Sequence, residues 1–224
     1  MKKLLYTLPL FLLFASCEPY QGELDQCCDG LEKVNIPNSI DRIVIADGNG
    51  NVSIRYQEET AFYFPDGWIQ EAGHNDFSIT GNTLTIYNTF SETYLSLNQL
   101  NDVEIVDGNS STFISRTFAE GNMDLSIGGN ASVFFDEICG DDGNATPRNG
   151  DFDLDLDVHQ NGSLYGFDVD FTNVYADVFS NGTVEVLVHD NLDANIPSNG
   201  TIYYKGYPNI STDIGFQGSL VDAN

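Results

Sequence analysis

Apolar and polar residues alternate one by one along much of the second half of the chain. From 151 to 158 every second residue is Phe, Leu or Val, and the residues between them are aspartates. Three valines keep the same spacing over 184–188, as do Leu, Ala and Ile over 192–196. Successive side chains of a strand point to opposite faces, so this pattern predicts strands with one buried and one exposed face. We therefore expect an all-β fold.

A turn signal separates these strands at a nearly constant spacing. The turn glycines are Gly162, Gly182, Gly200 and Gly218, so the intervals are 20, 18 and 18 residues. The residue two places after each glycine is apolar: Leu164, Val184, Ile202 and Leu220. A fixed β period near 20 residues is typical of a parallel β-helix, a solenoid of stacked coils. Asn-Gly turns also join hairpins, but the equal period and the aligned apolar positions favour parallel coils. Asn and Gly at these turns are expected to adopt positive φ.

The pattern divides the chain into regions of different regularity. Residues 31–100 alternate irregularly and are predicted to form N-terminal coils, whereas residues 101–224 carry the regular ones. A stretch rich in Gly, Asn and Asp near 137–150 lengthens one interval and predicts an inserted loop. We expect a single β-helix domain over 31–224, with coils of about 18–20 residues.

The N-terminus carries an export signal. Lys2 and Lys3 precede an apolar run over residues 4–15, which is too short to span a bilayer. The run ends in small residues directly before Cys17, and this arrangement resembles the bacterial lipobox. It predicts a lipoprotein signal peptide over 1–16, a lipidated Cys17, a tether over 17–30 and a membrane partner reached through the lipid anchor. The alternative is an ordinary secretory signal with an incidental cysteine.

Three further cysteines, Cys27, Cys28 and Cys139, remain after lipidation of Cys17. An exported compartment favours disulfides, and adjacent cysteines rarely pair with each other. A bridge from either Cys27 or Cys28 to Cys139 is therefore expected, and the odd count leaves one thiol over. A zinc site is less favoured because no histidine lies at zinc-ligand spacing near Cys27 and Cys28.

The charge limits the classes of partner. The chain has 34 acidic and 8 basic side chains, a formal net charge of −26. A protein this acidic repels phosphate backbones and anionic lipid surfaces, so nucleic acid is excluded as a partner. Neutral glycans, cationic surfaces and divalent cations stay compatible with the charge.

The stacked register would align oxygen-bearing residues in one outward-facing row. The residues five places before successive turn glycines are Asp157, Asp177, Asn195 and Asp213. Adjacent rungs of a parallel sheet lie about 4.8 Å apart, and carboxylate and amide oxygens at that spacing suit Ca²⁺. The row is therefore a candidate Ca²⁺ site, the one cofactor that the sequence suggests. The alternative is a solvated acidic face that opposes aggregation.

Two outward-facing tyrosines are the candidate recognition residues. Tyr165 and Tyr203 both stand three places after a turn glycine, and Glu185 holds the equivalent place between them. Tyrosine rings stack on the apolar faces of sugars, while a neighbouring carboxylate accepts hydrogen bonds from hydroxyl groups. This pattern predicts contact with a glycan or a cell-surface protein.

Motifs for catalysis are missing from the sequence. It contains no Gly-x-Ser-x-Gly, no His-Glu-x-x-His and no phosphate-binding loop. Because acidic residues are so frequent, the proximity of two carboxylates says little about acid–base chemistry. We predict a non-enzyme, with a polysaccharide-processing enzyme on a β-helix as the alternative, by analogy of fold alone.

Three segments carry a family resemblance. Residues 192–208, together with Asn51–Ile54 and Asn82–Ile86, resemble the putative auto-transporter adhesin, head-GIN domain family, over about 35–221. That family consists of Bacteroidetes envelope proteins, often lipoproteins, with a β-helical fold. The resemblance implies a right-handed helix and an adhesin or surface-binding module on the outer membrane, facing the periplasm or the exterior. It brings no catalytic residues, and a purely structural envelope protein is a further alternative.

Overall fold

The computed structural model describes residue 28 and residues 30–65, 77–87, 92–118, 121–136 and 152–224. Within these ranges the fold is all-β, as predicted, with seventeen strands and one short 3-10 helix. The strands are β1 (Leu31–Asn35), β2 (Arg42–Ile45), β3 (Asn51–Tyr56), β4 (Ala61–Pro65), β5 (Phe77–Thr80), β6 (Thr83–Ile86), β7 (Thr93–Leu97), β8 (Asp102–Ile105), β9 (Ser111–Ser115), β10 (Gly121–Ile127), β11 (Ser132–Asp136), β12 (Phe152–Val158), β13 (Ser163–Val178), β14 (Thr183–Ile196), β15 (Thr201–Gly206), β16 (Asn209–Ile214) and β17 (Ser219–Asp222). The helix is Arg116–Phe118.

Most strands belong to one of two parallel ladders. Ladder A runs β6, β2, β8, β10, β12, the C-terminal part of β13, the C-terminal part of β14, and β16. Ladder B runs β7, β3, β9, β11, the N-terminal part of β13, the N-terminal part of β14, β15 and β17. From β8 onward the chain alternates between the two ladders, so every second strand segment extends ladder A and the segments between them extend ladder B.

The observed register matches the one predicted from the turn spacing. Leu164 pairs with Val184, Val184 with Ile202, and Ile202 with Leu220. The first three of these side chains are fully buried, and they join the main hydrophobic core together with the inward residues of ladder A. Burial of a Leu, Ile or Val side chain contributes about 1.5–3 kcal/mol, so each rung adds several such terms.

The turns differ from the expectation in where positive φ falls. It falls on Gln160, Ser180 and Gln217, and not on the Asn-Gly pair that follows the first two. The turn glycine is required for a different reason, which is close approach between coils. A Cβ on Gly182 would lie 2.6 Å from Val158 Cγ1 and 2.9 Å from Val178 Cγ1.

The turn asparagines form a continuous hydrogen-bonded ladder along the edge of the molecule. Each side-chain amide donates to the Oδ1 of the asparagine one rung earlier. The donor–acceptor pairs are Asn109 to Asn49 (3.3 Å), Asn130 to Asn109 (2.9 Å), Asn161 to Asn130 (2.7 Å), Asn181 to Asn161 (3.1 Å) and Asn199 to Asn181 (3.3 Å). We call these six residues the asparagine ladder. At these turns the asparagine side chain therefore makes a contact between rungs.

The N-terminal strands are irregular in order as well as in sequence. β2 and β3 lie between the coil of β6 and β7 and the coil of β8 and β9, so stacking order departs from chain order. Three pairings here are antiparallel: β1 with β4, β4 with β7, and β5 with β6.

Among the described residues, no further strand covers β16, the last strand of ladder A. Every residue of β16 is exposed, including Ile210 and Ile214, whose equivalents Leu192 and Ile196 one rung earlier are buried. In the last strand of ladder B, β17, the side chains of Ser219 to Val221 are half-buried.

Several predicted features lie outside the described residues, namely the signal peptide, Cys17, Cys27, Cys139 and most of the inserted loop. The expected disulfide stays a prediction for that reason. Cys28 is described and is buried in a small cluster with Ala61 and Tyr63. No helix among the described residues has the length and apolar character needed to cross a membrane.

Candidate functional site

The predicted tyrosines belong to a longer aromatic row on the outer face of ladder B. In register, Phe113 of β9 pairs with Phe134 of β11, and Phe134 pairs with Tyr165 of β13. Glu185 of β14 follows Tyr165, and Tyr203 of β15 follows Glu185. We call these five positions the aromatic row. Its members face outward because the neighbouring residues of each strand, such as Leu164 and Val184, are buried in the core.

The first three rings of the aromatic row stack on one another. The centroids of Phe113 and Phe134 are 5.1 Å apart with planes inclined by 17°. Those of Phe134 and Tyr165 are 4.7 Å apart with planes inclined by 7°. These centroid distances lie in the favoured range for aromatic pairs, so the rings stabilise one another.

The far end of the aromatic row is more polar. Tyr165 and Tyr203 are 38% and 36% exposed, and Glu185 is half-buried between them. A basic group lies nearby, where Lys205 Nζ sits 4.1 Å from the centroid of the Phe167 ring. This end therefore offers two ring surfaces, a carboxylate and an ammonium group within a few rungs.

Sequence reasoning identified Tyr165, Glu185 and Tyr203 but missed Phe113 and Phe134. The turn residues in register with Gly162 on those two coils are Ala131 and Ser110, which precede Ser132 and Ser111 in the ladder. Counting from glycines therefore skipped both coils. A Ser-x-aromatic pattern, seen at 111–113, 132–134 and 163–165, would have located them.

The four oxygen-bearing residues predicted to align do so on the outer face of ladder A. Asp157 pairs with Asp177, Asp177 with Asn195, and Asn195 with Asp213. Groups of three or more His, Cys, Asp or Glu side chains that could hold a metal ion are not found among the described residues. The alignment itself is as expected, and Ca²⁺ binding stays a prediction.

A second acidic row was not predicted; it lies on β8, β10 and β12, and its last member, Asp155, stands two residues before Asp157 on β12. Asp102, Asp124 and Asp155 occupy successive rungs, and Arg42 follows Asp102. Arg42 forms ion pairs with Asp102 at 2.8 Å and with Glu104 at 2.6 Å.

Two carboxyl groups of the second acidic row, Asp155 and Asp102, have a raised pKa. Loss of hydration on the strand raises the pKa of Asp155 above its usual range, and the carboxylates of Asp124, Asp157 and Asp177 raise it further. Loss of hydration also raises the pKa of Asp102, against the opposing effect of Arg42. The ionised forms of Asp155 and Asp102 are therefore disfavoured on this face.

A solved structure shares the fold. The crystal structure of a putative adhesin from Bacteroides fragilis matches with a TM-score of 0.59 at 16% identity, covering 85% of this chain and 94% of that one. A structure described as a putative lipid binding protein, from Parabacteroides distasonis, matches with a TM-score of 0.44 at 16% identity, covering 88% and 98%. No curated protein matches the sequence.

The family assignment comes from the sequence. The putative auto-transporter adhesin, head GIN domain family matches residues 71–208, which include the aromatic row and most of both acidic rows. A family of this kind indicates a cell-surface or envelope protein. Because the match covers more than half of the 224 residues, the chain belongs to the putative auto-transporter adhesin, head GIN domain family.

Proposed function

We propose that this protein is a non-catalytic envelope lipoprotein that binds neutral glycans on a cell surface through its aromatic row. The observation that carries the proposal is the outward-facing stack of Phe113, Phe134 and Tyr165, continued by Tyr203. The two phenylalanines are half-buried, and the two tyrosines are exposed. Aromatic surface on the outer face of a sheet does not serve the core, and apolar surface of this kind marks interaction sites.

The proposed architecture is a single right-handed parallel β-helix over 31–224. Parallel pairing at offsets of about 18–20 residues from β12 to β17 supports it, for example Asp177 with Asn195 and Thr183 with Thr201. Right-handedness follows the general rule for parallel β connections and the family resemblance. This architecture presents the aromatic row as a flat, rigid strip.

Sugars fit the chemistry of that strip better than charged ligands. The C–H faces of a pyranose stack on aromatic rings, and Glu185 can accept hydrogen bonds from ring hydroxyls. The net charge of −26 opposes sialylated or sulfated glycans. Neutral oligosaccharides are therefore the expected class.

The proposed location is the outer membrane, with a lipid on Cys17 as anchor. The small residues before Cys17 and the short apolar run support lipidation. Replacement of Cys17 by Ser is expected to move the protein from the membrane fraction to the soluble fraction of envelope preparations. Retention in the membrane fraction would contradict the anchor.

Glycan binding is tested with the lipid-free chain on a glycan array. Tyr203→Ala is expected to lower neutral-glycan binding without lowering the melting temperature, because this side chain is on the surface. Tyr165→Ala is expected to lower both binding and the melting temperature, because it also removes the ring stack with Phe134. Tyr207→Ala is the matched control, since Tyr207 is 92% exposed and lies outside the aromatic row. Unchanged binding in both row variants, or equal loss in the control, would refute the aromatic row as the site.

A further inference from the structure

A second row of residues lines the turn that follows each strand of ladder A. Backbone hydrogen bonds to the preceding rung set its order: Val106 donates to Ile45, Gly128 to Ile105, His159 to Ile127 and Phe179 to Val158. The successive members are therefore Val106, Gly128, His159 and Phe179. We call these four residues the turn row, and it shares no member with the aromatic row.

The turn row has a gap at Gly128. Rungs lie about 4.8 Å apart, so Val106 and His159 are separated by about 9.6 Å with no side chain between them. A Cβ on Gly128 would collide with the carbonyl oxygen of Val106, so close backbone contact keeps this position a glycine. The gap therefore follows from the backbone packing, and no side chain at position 128 can fill it.

One wall of the gap is an aromatic ring with an open face. His159 stacks on Phe179, with centroids 5.1 Å apart and planes inclined by only 5°. Phe179 covers one face of the imidazole, and the other face is turned towards the rung of Gly128. The opposite wall is Val106, which is 49% exposed. A gap of two rungs accommodates one ring at the usual stacking distance from each wall.

Polar groups surround the gap on both sides. The groove has a volume of about 470 Å³, within the range of small-molecule sites, and is lined on the strand side by Glu104 and Ser126. Gln160 and Ser180 line it on the turn side. Glu104 is oriented by its ion pair with Arg42 at 2.6 Å, which leaves lone pairs of the carboxylate available.

From this geometry we infer that the groove binds one pyranose ring of a neutral glycan, inserted between His159 and Val106. The C–H faces of the sugar contact the imidazole and the valine methyl groups. Its hydroxyls meet the carboxylate of Glu104, the hydroxyl of Ser126 and the amide of Gln160. Glu104 and the overall negative charge exclude acidic sugars. This is a second site, independent of the glycan site on the aromatic row.

The test is a titration followed by NMR of the histidine rings. The chain has only three histidines, His74, His159 and His189, so their ring resonances are resolvable and are assigned by single substitutions. The probes are the methyl glycosides of glucose, galactose, mannose and N-acetylglucosamine, added up to about 100 mM to reveal millimolar dissociation constants. Glucuronic acid is the anionic comparison, and tryptophanamide tests an aromatic side chain as the occupant.

The inference expects saturable shifts of the His159 ring with at least one neutral glycoside, and none with glucuronic acid. Val106→Phe fills the gap from its exposed wall and is expected to weaken binding at least tenfold with an unchanged melting temperature. His189→Ala is the matched control, because His189 is exposed and lies outside the groove. Its glycoside affinity is expected to stay at the wild-type value.

The two proposed glycan sites can fail separately. If the groove binds and the aromatic row does not, Tyr203→Ala leaves the His159 shifts and array binding intact, whereas Val106→Phe removes both. An unmoved His159 ring with every glycoside would overturn the groove site and leave the aromatic row untouched. A shift with tryptophanamide alone would overturn it in favour of a peptide partner.

Discussion

The asparagine ladder makes a quantitative prediction about stability. Asn161 occupies an interior position, where it donates to Asn130 at 2.7 Å and accepts from Asn181 at 3.1 Å. Asn161→Ala removes both hydrogen bonds and strands one donor and one acceptor on its neighbours. A hydrogen bond contributes about 0.5–1.5 kcal/mol net, and exposure lets water replace part of that. We expect the free energy of unfolding to fall by about 1–2 kcal/mol.

Asn199 is the matched control because it is the last described member of the asparagine ladder. Its side-chain amide donates to Asn181 at 3.3 Å, a single and longer bond. Asn199→Ala is therefore expected to cost about 0.5–1 kcal/mol, roughly half of the interior cost. The difference isolates the effect of position, since both residues are exposed asparagines directly before a turn glycine.

Urea denaturation followed by circular dichroism measures both costs, with the midpoint read at constant m-value. The double variant Asn161→Ala with Asn181→Ala adds a third test. The two residues share one bond, so the double cost is expected to be smaller than the sum of the single costs. If Asn161→Ala costs no more than Asn199→Ala, the ladder is a by-product of turn geometry and not a source of stability.

Three further predictions concern the coils and the acidic face. Gly182→Ala is expected to lower the free energy of unfolding by about 1–3 kcal/mol through overpacking, and Val158→Ala in the same chain is expected to recover part of it, as a double-mutant cycle would show. The raised pKa of Asp155 means that the folded state binds more protons, so stability is expected to rise as pH falls from neutral towards the ordinary aspartate value. Asp155→Asn should raise the melting temperature at pH 7 and flatten that pH dependence, whereas Asp193→Asn, which lies between Tyr175 and Ser211, should do neither. Finally, if Asp157, Asp177, Asn195 and Asp213 bind Ca²⁺, the melting temperature should be higher in millimolar Ca²⁺ than in EDTA at matched ionic strength. Changing Asp157 and Asp177 to Asn should abolish this difference. An unchanged melting temperature in the wild-type protein would mean that the row is a solvated acidic surface.

Sequence alone was sufficient for the regular half of the molecule. Period-two alternation identified the buried positions, and the 18–20-residue spacing set the register of Leu164, Val184, Ile202 and Leu220, because parallel stacking repeats the same contacts in every coil. The same spacing placed Tyr165, Glu185 and Tyr203 in one row and Asp157, Asp177, Asn195 and Asp213 in another. Because successive repeats in this half have nearly the same length, the place of a residue within its repeat also gives its neighbours in the stack.

Only the tertiary structure decided the features that depend on unequal coils and on neighbouring rungs. β2 and β3 lie between strands that come later in the chain. The alternation of apolar and polar residues would be the same if the strands stacked in chain order, so the sequence pattern does not reveal this arrangement. The stacking of Phe113 and Phe134, the ring of His159 over the gap at Gly128, and the run of Asp102, Asp124 and Asp155 arise from residues 21 to 31 positions apart in the chain. Such contacts follow from which rungs become neighbours in the stack, and local sequence does not specify that.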